Sequence, residues 1–97
     1  MNSAGSLGLV RRVDANVIAL VHKVKEQAEA KQGKQYKQFA AVSYREQIVN
    51  GINYFVKVRV DHDEFIHLRI YQDFRKTVLL LNSVQEGHTL DSEITYF

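Results

Sequence analysis

Apolar residues recur at three- and four-residue spacing after residue 14, which predicts one amphipathic helix. The apolar positions are Val17, Leu20, Val21, Val24 and Ala28. Asp14 is a suitable N-cap because its carboxylate can accept the free amide hydrogens of the first turn. Gly33 can end the helix in the left-handed conformation. We therefore predict a single helix from about residue 14 to residue 31.

After Gly33 the period of the pattern falls to two, and β-branched and aromatic residues dominate, which predicts strands. The four predicted strands are Phe39 to Val49, Ile52 to Val60, Phe65 to Tyr71 and Val78 to Val84. Asn50-Gly51 is a strong hairpin signal, since both positions of a type I′ turn need positive φ. Asp61 to Glu64 forms a second polar turn. A last short strand is allowed near Glu93 to Phe97.

The third segment of the pattern divides its residues between two faces of a sheet. Tyr54, Val56, Val58 and Val60 lie on one side, and Phe55, Lys57 and Arg59 on the other. This alternation predicts one buried face and one exposed face, with His67 exposed on the second. The predicted helix is the only element available to cover the buried face. We expect an α+β fold in which one helix lies across a four- to five-stranded antiparallel sheet.

Length and composition limit the chain to one domain. The 97 residues are 45% hydrophobic and 25% charged, with a net charge of +2 that indicates no particular partner. Residues 1 to 13 read as a mobile arm before the domain. The lack of cysteine favours a reducing compartment, and we predict the cytoplasm. Without an apolar run of about 18 residues or a signal-peptide pattern, we expect neither membrane insertion nor secretion.

Candidate catalytic and ligand-binding groups are weak. Asp61, His62, Asp63 and Glu64 are the densest potential metal ligands, but their spacing favours a solvated turn over a metal site. No serine lies in the strand-turn-helix elbow that nucleophilic catalysis uses. A basic stripe around Lys23 to Lys37 is diluted by Glu26 and Glu29, so nucleic-acid binding is not favoured. We expect no enzyme activity, no metal and no cofactor.

One segment carries a more specific signal. Gln47-Ile48-Val49-Asn50-Gly51 and the strand Ile52 to Val58 resemble the Gln-Val-Val-Ala-Gly hairpin and following strand of the cystatin superfamily. The resemblance continues through Phe65 to Arg69 and the closing Thr95-Tyr96-Phe97. Length, lack of disulfides and the position of Gly5 make the chain most similar to the stefins, or type 1 cystatins.

The resemblance implies a reversible, competitive, non-covalent protein inhibitor of papain-like cysteine proteases such as cathepsins. Family members insert three segments into the active-site cleft, which here would be Met1 to Gly5, Gln47 to Gly51 and about Asp73 to Lys76. The implied protease-binding residues are Gly5, Gln47, Ile48, Val49, Asn50, Gly51, Phe74 and Arg75. The family also implies a monomer that can exchange strands into a domain-swapped dimer by opening the Gln47 to Gly51 hairpin.

The sequence departs from the stefin pattern in its two loops. Asn50 replaces the usual alanine, and Phe74-Arg75 stand where the family has Leu-Pro in a loop about two residues longer. Because the chain has no proline, the second loop is not preset in φ and is expected to be more mobile. The alternative to inhibition is therefore a stefin-like module that binds partners without inhibiting proteases.

Overall fold

The helix begins and ends where the sequence predicts. The computed structural model describes residues 6–97, and α1 spans Ala15–Gln32. The Asp14 Oδ1 accepts a hydrogen bond of 2.9 Å from the Val17 amide, and Gly33 ends the helix with φ of 67°. The amides of Gly33 and Lys34 both donate to the Glu29 carbonyl, which therefore accepts two hydrogen bonds at the end of the helix.

The strands form one antiparallel sheet in chain order. Its elements are β1 (Arg11–Arg12), β2 (Ala40–Val49), β3 (Gly51–Asp61), β4 (Glu64–Gln72) and β5 (Leu79–His88). The order across the sheet is β1-β2-β3-β4-β5. Each long strand therefore pairs with its sequence neighbour through a short connection, and the α+β prediction is confirmed.

The helix covers one face of the sheet as predicted. Its five predicted apolar positions are all buried. They pack in one core with the alternate β3 residues Tyr54, Val56, Val58 and Val60 and with Ile66, Leu68 and Ile70 of β4. Burial of this much branched and aromatic surface is the main source of stability in a chain with no disulfide.

The prediction that the other face is exposed is wrong. Phe55, Lys57 and His67 are buried there. The C-terminal segment, residues 89–97, lies over this face. The Lys57 Nζ donates hydrogen bonds to the carbonyl oxygens of Leu90 and Ser92, the second at 2.6 Å. The charged end of Lys57 is therefore paired with backbone oxygens under an irregular cover.

The C-terminal segment is held without forming a strand. The expected strand near Glu93 to Phe97 is absent, and the rings of Tyr96 and Phe97 each lie 5.7 Å from the ring of Phe55. Arg69 Nη1 donates to the Phe97 carbonyl at 2.7 Å. Side-chain hydrogen bonds and ring contacts thus replace the backbone ladder that the prediction assumed.

The strand that adds to the four predicted ones is β1, near the N-terminus. Arg11–Arg12 pairs with Tyr44 and Ser43 of β2, although the sequence pattern predicts these residues in the arm. Residues 1–5 lie outside the described residues, and the mobility of the arm stays a prediction. No helix in residues 6–97 is long and apolar enough to cross a lipid bilayer.

Candidate functional site

Three segments meet at one end of the sheet. In an antiparallel meander the β2–β3 turn and the β4–β5 loop lie at the same end, and here these are Gln47 to Gly51 and residues 73–78. Residues 6–8 join them, because Leu7 pairs with Gln47 and the Gly8 amide donates to the Glu46 carbonyl at 2.7 Å. We call residues 6–8 the N-terminal segment, residues 47–51 the first hairpin and residues 73–78 the second loop, and the three together the loop end.

The N-terminal part of the loop end is fixed by backbone contacts. Arg45 Nε donates to the Gly8 carbonyl at 2.7 Å, and Arg45 Nη1 donates to the Ile94 carbonyl at 2.7 Å. One guanidinium therefore ties the N-terminal segment to the C-terminal segment across β2. This contact holds Gly8 beside β2.

The first hairpin is tighter than the predicted type I′ turn. Val49 pairs with Gly51, so Asn50 alone connects the two strands. Gly51 has φ of 126°, whereas Asn50 does not have positive φ. The prediction of a type I′ turn is thus wrong in detail, although the Asn-Gly signal marks the correct position.

The base of the first hairpin is closed by a side-chain pair. The Asn53 Nδ2 donates a hydrogen bond of 2.8 Å to the Gln47 Oε1, and both side chains are buried. Ile48, by contrast, is 53% exposed, and Val49 is half-buried. Gln47 therefore holds the hairpin from inside, while Ile48 presents apolar surface outside it.

Tyr71 supports the tip of this hairpin from β4. Its hydroxyl donates to the Asn50 carbonyl. A Cβ at Gly51 would lie 2.7 Å from the Tyr71 hydroxyl and 2.6 Å from the Gln72 carbonyl oxygen. Glycine is needed here because both the positive φ and the close approach of β4 exclude a side chain.

Asp73 organises the second loop. Its Oδ1 accepts from the amides of Thr77 and Val78 at 2.8 Å each, and its Oδ2 accepts from the Thr77 hydroxyl at 2.7 Å. These donors, with the Val78 amide first, lower the pKa of the Asp73 carboxyl below its usual value. A carboxylate that closes a loop on itself supplies locally the order that proline would supply through φ.

The second loop presents the two residues that the sequence analysis selects. Phe74 is 61% exposed, and Arg75 is also exposed. Lys76 follows with φ of 60°, and its amide donates to the Asp73 carbonyl at 3.0 Å. The loop therefore projects one aromatic ring and two cations, Arg75 and Lys76, from a backbone that Asp73 closes.

A groove of about 450 Å³ lies between the N-terminal segment and the first hairpin. Its lining residues are Ser6, Leu7, Gly8, Leu9, Arg11, Glu46 and Ile48. Leu9 is strongly exposed, and Arg11 Nη1 lies 3.5 Å from Glu46 Oε1. The groove thus joins apolar surface from two of the three segments beside one exposed ion pair.

Of the predicted site residues, the structure brings seven to the loop end. They are Gln47, Ile48, Val49, Asn50, Gly51, Phe74 and Arg75. The eighth, Gly5, lies outside the described residues. Sequence reasoning missed Tyr71 and Asp73, because their partners become visible only once strand register and loop closure are known.

The acidic turn lies at the other end of the sheet. Asp61 pairs with Glu64 across the β3–β4 turn, and His62 and Asp63 are exposed. Within residues 6–97 no three side chains of the metal-ligating types are grouped to hold a metal ion. The turn is therefore separate from the loop end.

Comparison with known proteins agrees with this architecture. The family model described as Cystatin domain matches residues 8–89. The chain is 42% identical over 97 residues to Cystatin-A2 of Dictyostelium discoideum, with 100% of each chain covered. It is 37% identical to Cystatin-B of Sus scrofa over 95 residues, covering 96% of this chain and 97% of that protein. It is 36% identical to Stefin-1 of Mus musculus over 96 residues, covering 98% and 99%.

The family match covers most of the described chain, and the relatives match it nearly end to end. The helix across an antiparallel sheet and the hairpin at Gln47 to Gly51 are the features that the resemblance implied. The chain therefore belongs to the cystatin family of cysteine protease inhibitors, within its stefin group, and not to a family of enzymes.

Proposed function

We propose that the protein is a reversible, competitive and non-covalent inhibitor of papain-like cysteine proteases such as cathepsins. The loop end would enter the active-site cleft, with residues 1–5 extending the N-terminal segment. The observation that carries this proposal is the convergence of residues 6–8, the first hairpin and the second loop at one end of the sheet. Three adjacent projecting segments form a wedge, and a wedge is complementary in shape to a cleft and not to a flat partner surface.

The exposed apolar side chains of the loop end support the proposal. Ile48 and Phe74, both at the loop end, are each more than half exposed in the free protein. Because each side chain is already partly covered, its full burial in a complex contributes about 1–2 kcal/mol. Gln47, which stays buried, would instead contribute by holding the hairpin through its hydrogen bond with Asn53.

The order of the loop end also favours tight binding. Asp73 closes the second loop, and Tyr71 bonds the tip of the first hairpin. Surfaces that are already ordered lose little conformational entropy on docking, so an interface of about 800 Å² per partner can bind tightly. Inhibition would remain reversible because the contacts that hold the wedge are non-covalent.

The test is a titration of papain and a cathepsin of the L type with the full chain and with residues 6–97. We expect stoichiometric inhibition by the full chain that increasing substrate relieves. Removal of residues 1–5 should weaken inhibition by about 5- to 1000-fold, with nearly unchanged thermal stability. Equal inhibition by both forms would exclude residues 1–5 from the wedge. No inhibition at high micromolar protein would favour the non-inhibitory interaction module.

The cellular location and the oligomeric state of the inhibitor are also part of the proposal. We place the protein in the cytoplasm, consistent with the absence of cysteine from the chain. We also propose that the inhibitor acts as a monomer, because a dimer formed by strand exchange would open the Gln47 to Gly51 hairpin. A dimer isolated after partial unfolding should therefore fail to inhibit papain, and an equally inhibitory dimer would contradict this mechanism.

A further inference from the structure

The tip of the first hairpin receives a contact from outside its own two strands. Tyr71 lies near the end of β4, where it pairs with Asn53 of β3. Its hydroxyl donates to the carbonyl of Asn50, three residues before Asn53 in the chain. One side chain therefore links the tip of the first hairpin to the strand that leads into the second loop.

Gly51 and Tyr71 are matched in space. A Cβ at Gly51 would lie 2.8 Å from Cε1 of the tyrosine ring and 2.7 Å from its hydroxyl, both closer than real Cβ atoms approach. The absence of a side chain at Gly51 is what allows the ring to reach Asn50. The ring in turn occupies the space beside a glycine whose φ of 126° is open to few other residues.

This contact acts on the part of the hairpin with the least strand support. Asn50 belongs to neither strand and lies between Val49 and Gly51, which pair with each other. A hydrogen bond to its carbonyl fixes the orientation of the peptide group that joins Asn50 to Gly51. Rotation of this peptide group would change the backbone conformation at Asn50 and Gly51, and so the shape of the tip.

We propose that Tyr71 is a positioning residue for protease binding, which holds the tip of the first hairpin in its binding orientation before the protease arrives. This inference rests on the proposed function. A tip that samples several orientations binds only through the competent fraction, so the apparent Kd rises as that fraction falls. Loss of the Tyr71 hydroxyl should therefore slow association, whereas dissociation should change little because the cleft itself holds the bound tip.

The test compares Tyr71→Phe with Tyr36→Phe. Both variants keep the ring and lose one hydroxyl. Tyr36 is a matched control because its hydroxyl donates to Glu86 Oε2 at 2.8 Å, and the residue lies beside Asp61 and Glu64 at the far end of the sheet. For each variant we would measure kon, koff and Ki against papain, the melting temperature, and ¹⁵N relaxation of the Asn50 and Gly51 amides.

For Tyr71→Phe we expect a Ki raised about 3- to 10-fold, the loss typical of one hydrogen bond, with the change mainly in kon. The Asn50 and Gly51 amides should show increased motion. Tyr36→Phe should keep the wild-type Ki and the wild-type relaxation at these amides. This pattern separates positioning from a general effect on stability, which would not be confined to the tip.

Two outcomes would overturn the inference. Equal kon values and equal tip relaxation for Tyr71→Phe and the wild type would show that the hydroxyl does not order the tip. A change confined to koff would show that Tyr71 acts in the complex and does not prepare the free hairpin. If the wild type itself failed to inhibit papain, the proposed function would fail first, and the inference that rests on it would fall with it.

Discussion

The imidazole rings of His67 and His88 are stacked, with ring centroids 3.6 Å apart and 11° between the ring planes. His67 is fully buried, and within residues 6–97 neither of its ring nitrogens has a hydrogen-bond partner. The buried Lys57 lies near both rings and contributes a positive charge. This arrangement places three basic groups together under the C-terminal segment.

The environment of His67 disfavours its protonated form. Burial, followed by the charges of His88 and Lys57, lowers the pKa of His67 from 6.5 to about 4. Burial and Lys57 also lower the pKa of His88. Both residues are thus neutral in the folded protein at neutral pH, and proton uptake by His67 is linked to unfolding.

The first prediction is a loss of stability in mild acid. In the unfolded chain His67 takes up a proton as the pH falls below about 6.5, whereas in the folded protein it does so only near 4. The full free energy of unfolding should therefore be present above pH 6.5. It should fall as the pH approaches 4, with a loss of about 3 kcal/mol from His67. Urea unfolding at several pH values between 7.5 and 4 measures the change.

Replacement of His67 gives the control for this effect. His67→Leu removes two unpaired nitrogens, so it should fold with similar stability at pH 7 and lose less stability than the wild type by pH 4.5. His22 is exposed on the helix, and His22→Gln should keep the wild-type pH dependence. An unchanged pH profile for His67→Leu would contradict the assignment to His67.

The burial of His67 and Lys57 shows where the sequence pattern stops being informative. Period-two alternation correctly separates the two faces of β3, but it does not report what covers each face. The spacing of the apolar residues from Val17 to Ala28 predicts the helix, whereas residues 89–97 have no periodicity. Their attachment depends on contacts such as Lys57 with the Leu90 carbonyl, which connect residues 33 positions apart.

The candidate site likewise contains residues that the sequence predicts and residues that it does not predict. The Gln47 to Gly51 segment could be predicted because the Asn-Gly signal and the resemblance to stefins both lie within a few consecutive residues. Tyr71 and Asp73 could not, since their roles depend on the register of β4 with β3 and on the return of the chain at Val78. The two-residue strand Arg11–Arg12 is also too short to carry a pattern.

The second prediction separates two costs of a side chain in the first hairpin. Gly51 and Gly87 both have positive φ, but a Cβ at Gly51 would lie 2.6 Å from the Gln72 carbonyl oxygen, and a Cβ at Gly87 would meet nothing within 4 Å. Gly87→Ala should lose about 1 kcal/mol of unfolding free energy from backbone strain alone. Gly51→Ala should lose about 1–3 kcal/mol from strain and more from the clash. Equal losses in urea unfolding would contradict this reading.

The third prediction concerns Asp73. Asp73→Ala removes the acceptor of the Thr77 and Val78 amides, so both amides should exchange hydrogen faster, and inhibition should weaken severalfold if the second loop enters the cleft. Because the pKa of Asp73 lies below 3.8, its contribution should persist above that pH and be lost as the pH falls through the lowered pKa. Asp63→Ala, in the exposed turn at the opposite end, should leave exchange at these amides unchanged.

The fourth prediction tests the first hairpin at Val49. This side chain is half-buried near the tip and lies outside the main core. Val49→Asp should therefore cost the fold less than about 1 kcal/mol. In the complex the same position would be desolvated, and losing an apolar contact while burying an unpaired carboxylate should weaken inhibition of papain by at least about 100-fold.

Leu90→Asp is the matched control for Val49→Asp. Leu90 is exposed in the C-terminal segment, and its backbone lies against Lys57, six residues along β3 from Gly51 and so about 20 Å from the tip. The substitution Leu90→Asp introduces the same charge away from the loop end and should leave Ki near the wild-type value. If Val49→Asp lowered stability and inhibition together, Val49 would be a packing residue. If it changed neither, the first hairpin would lie outside the interface, and inhibition would have to use another surface.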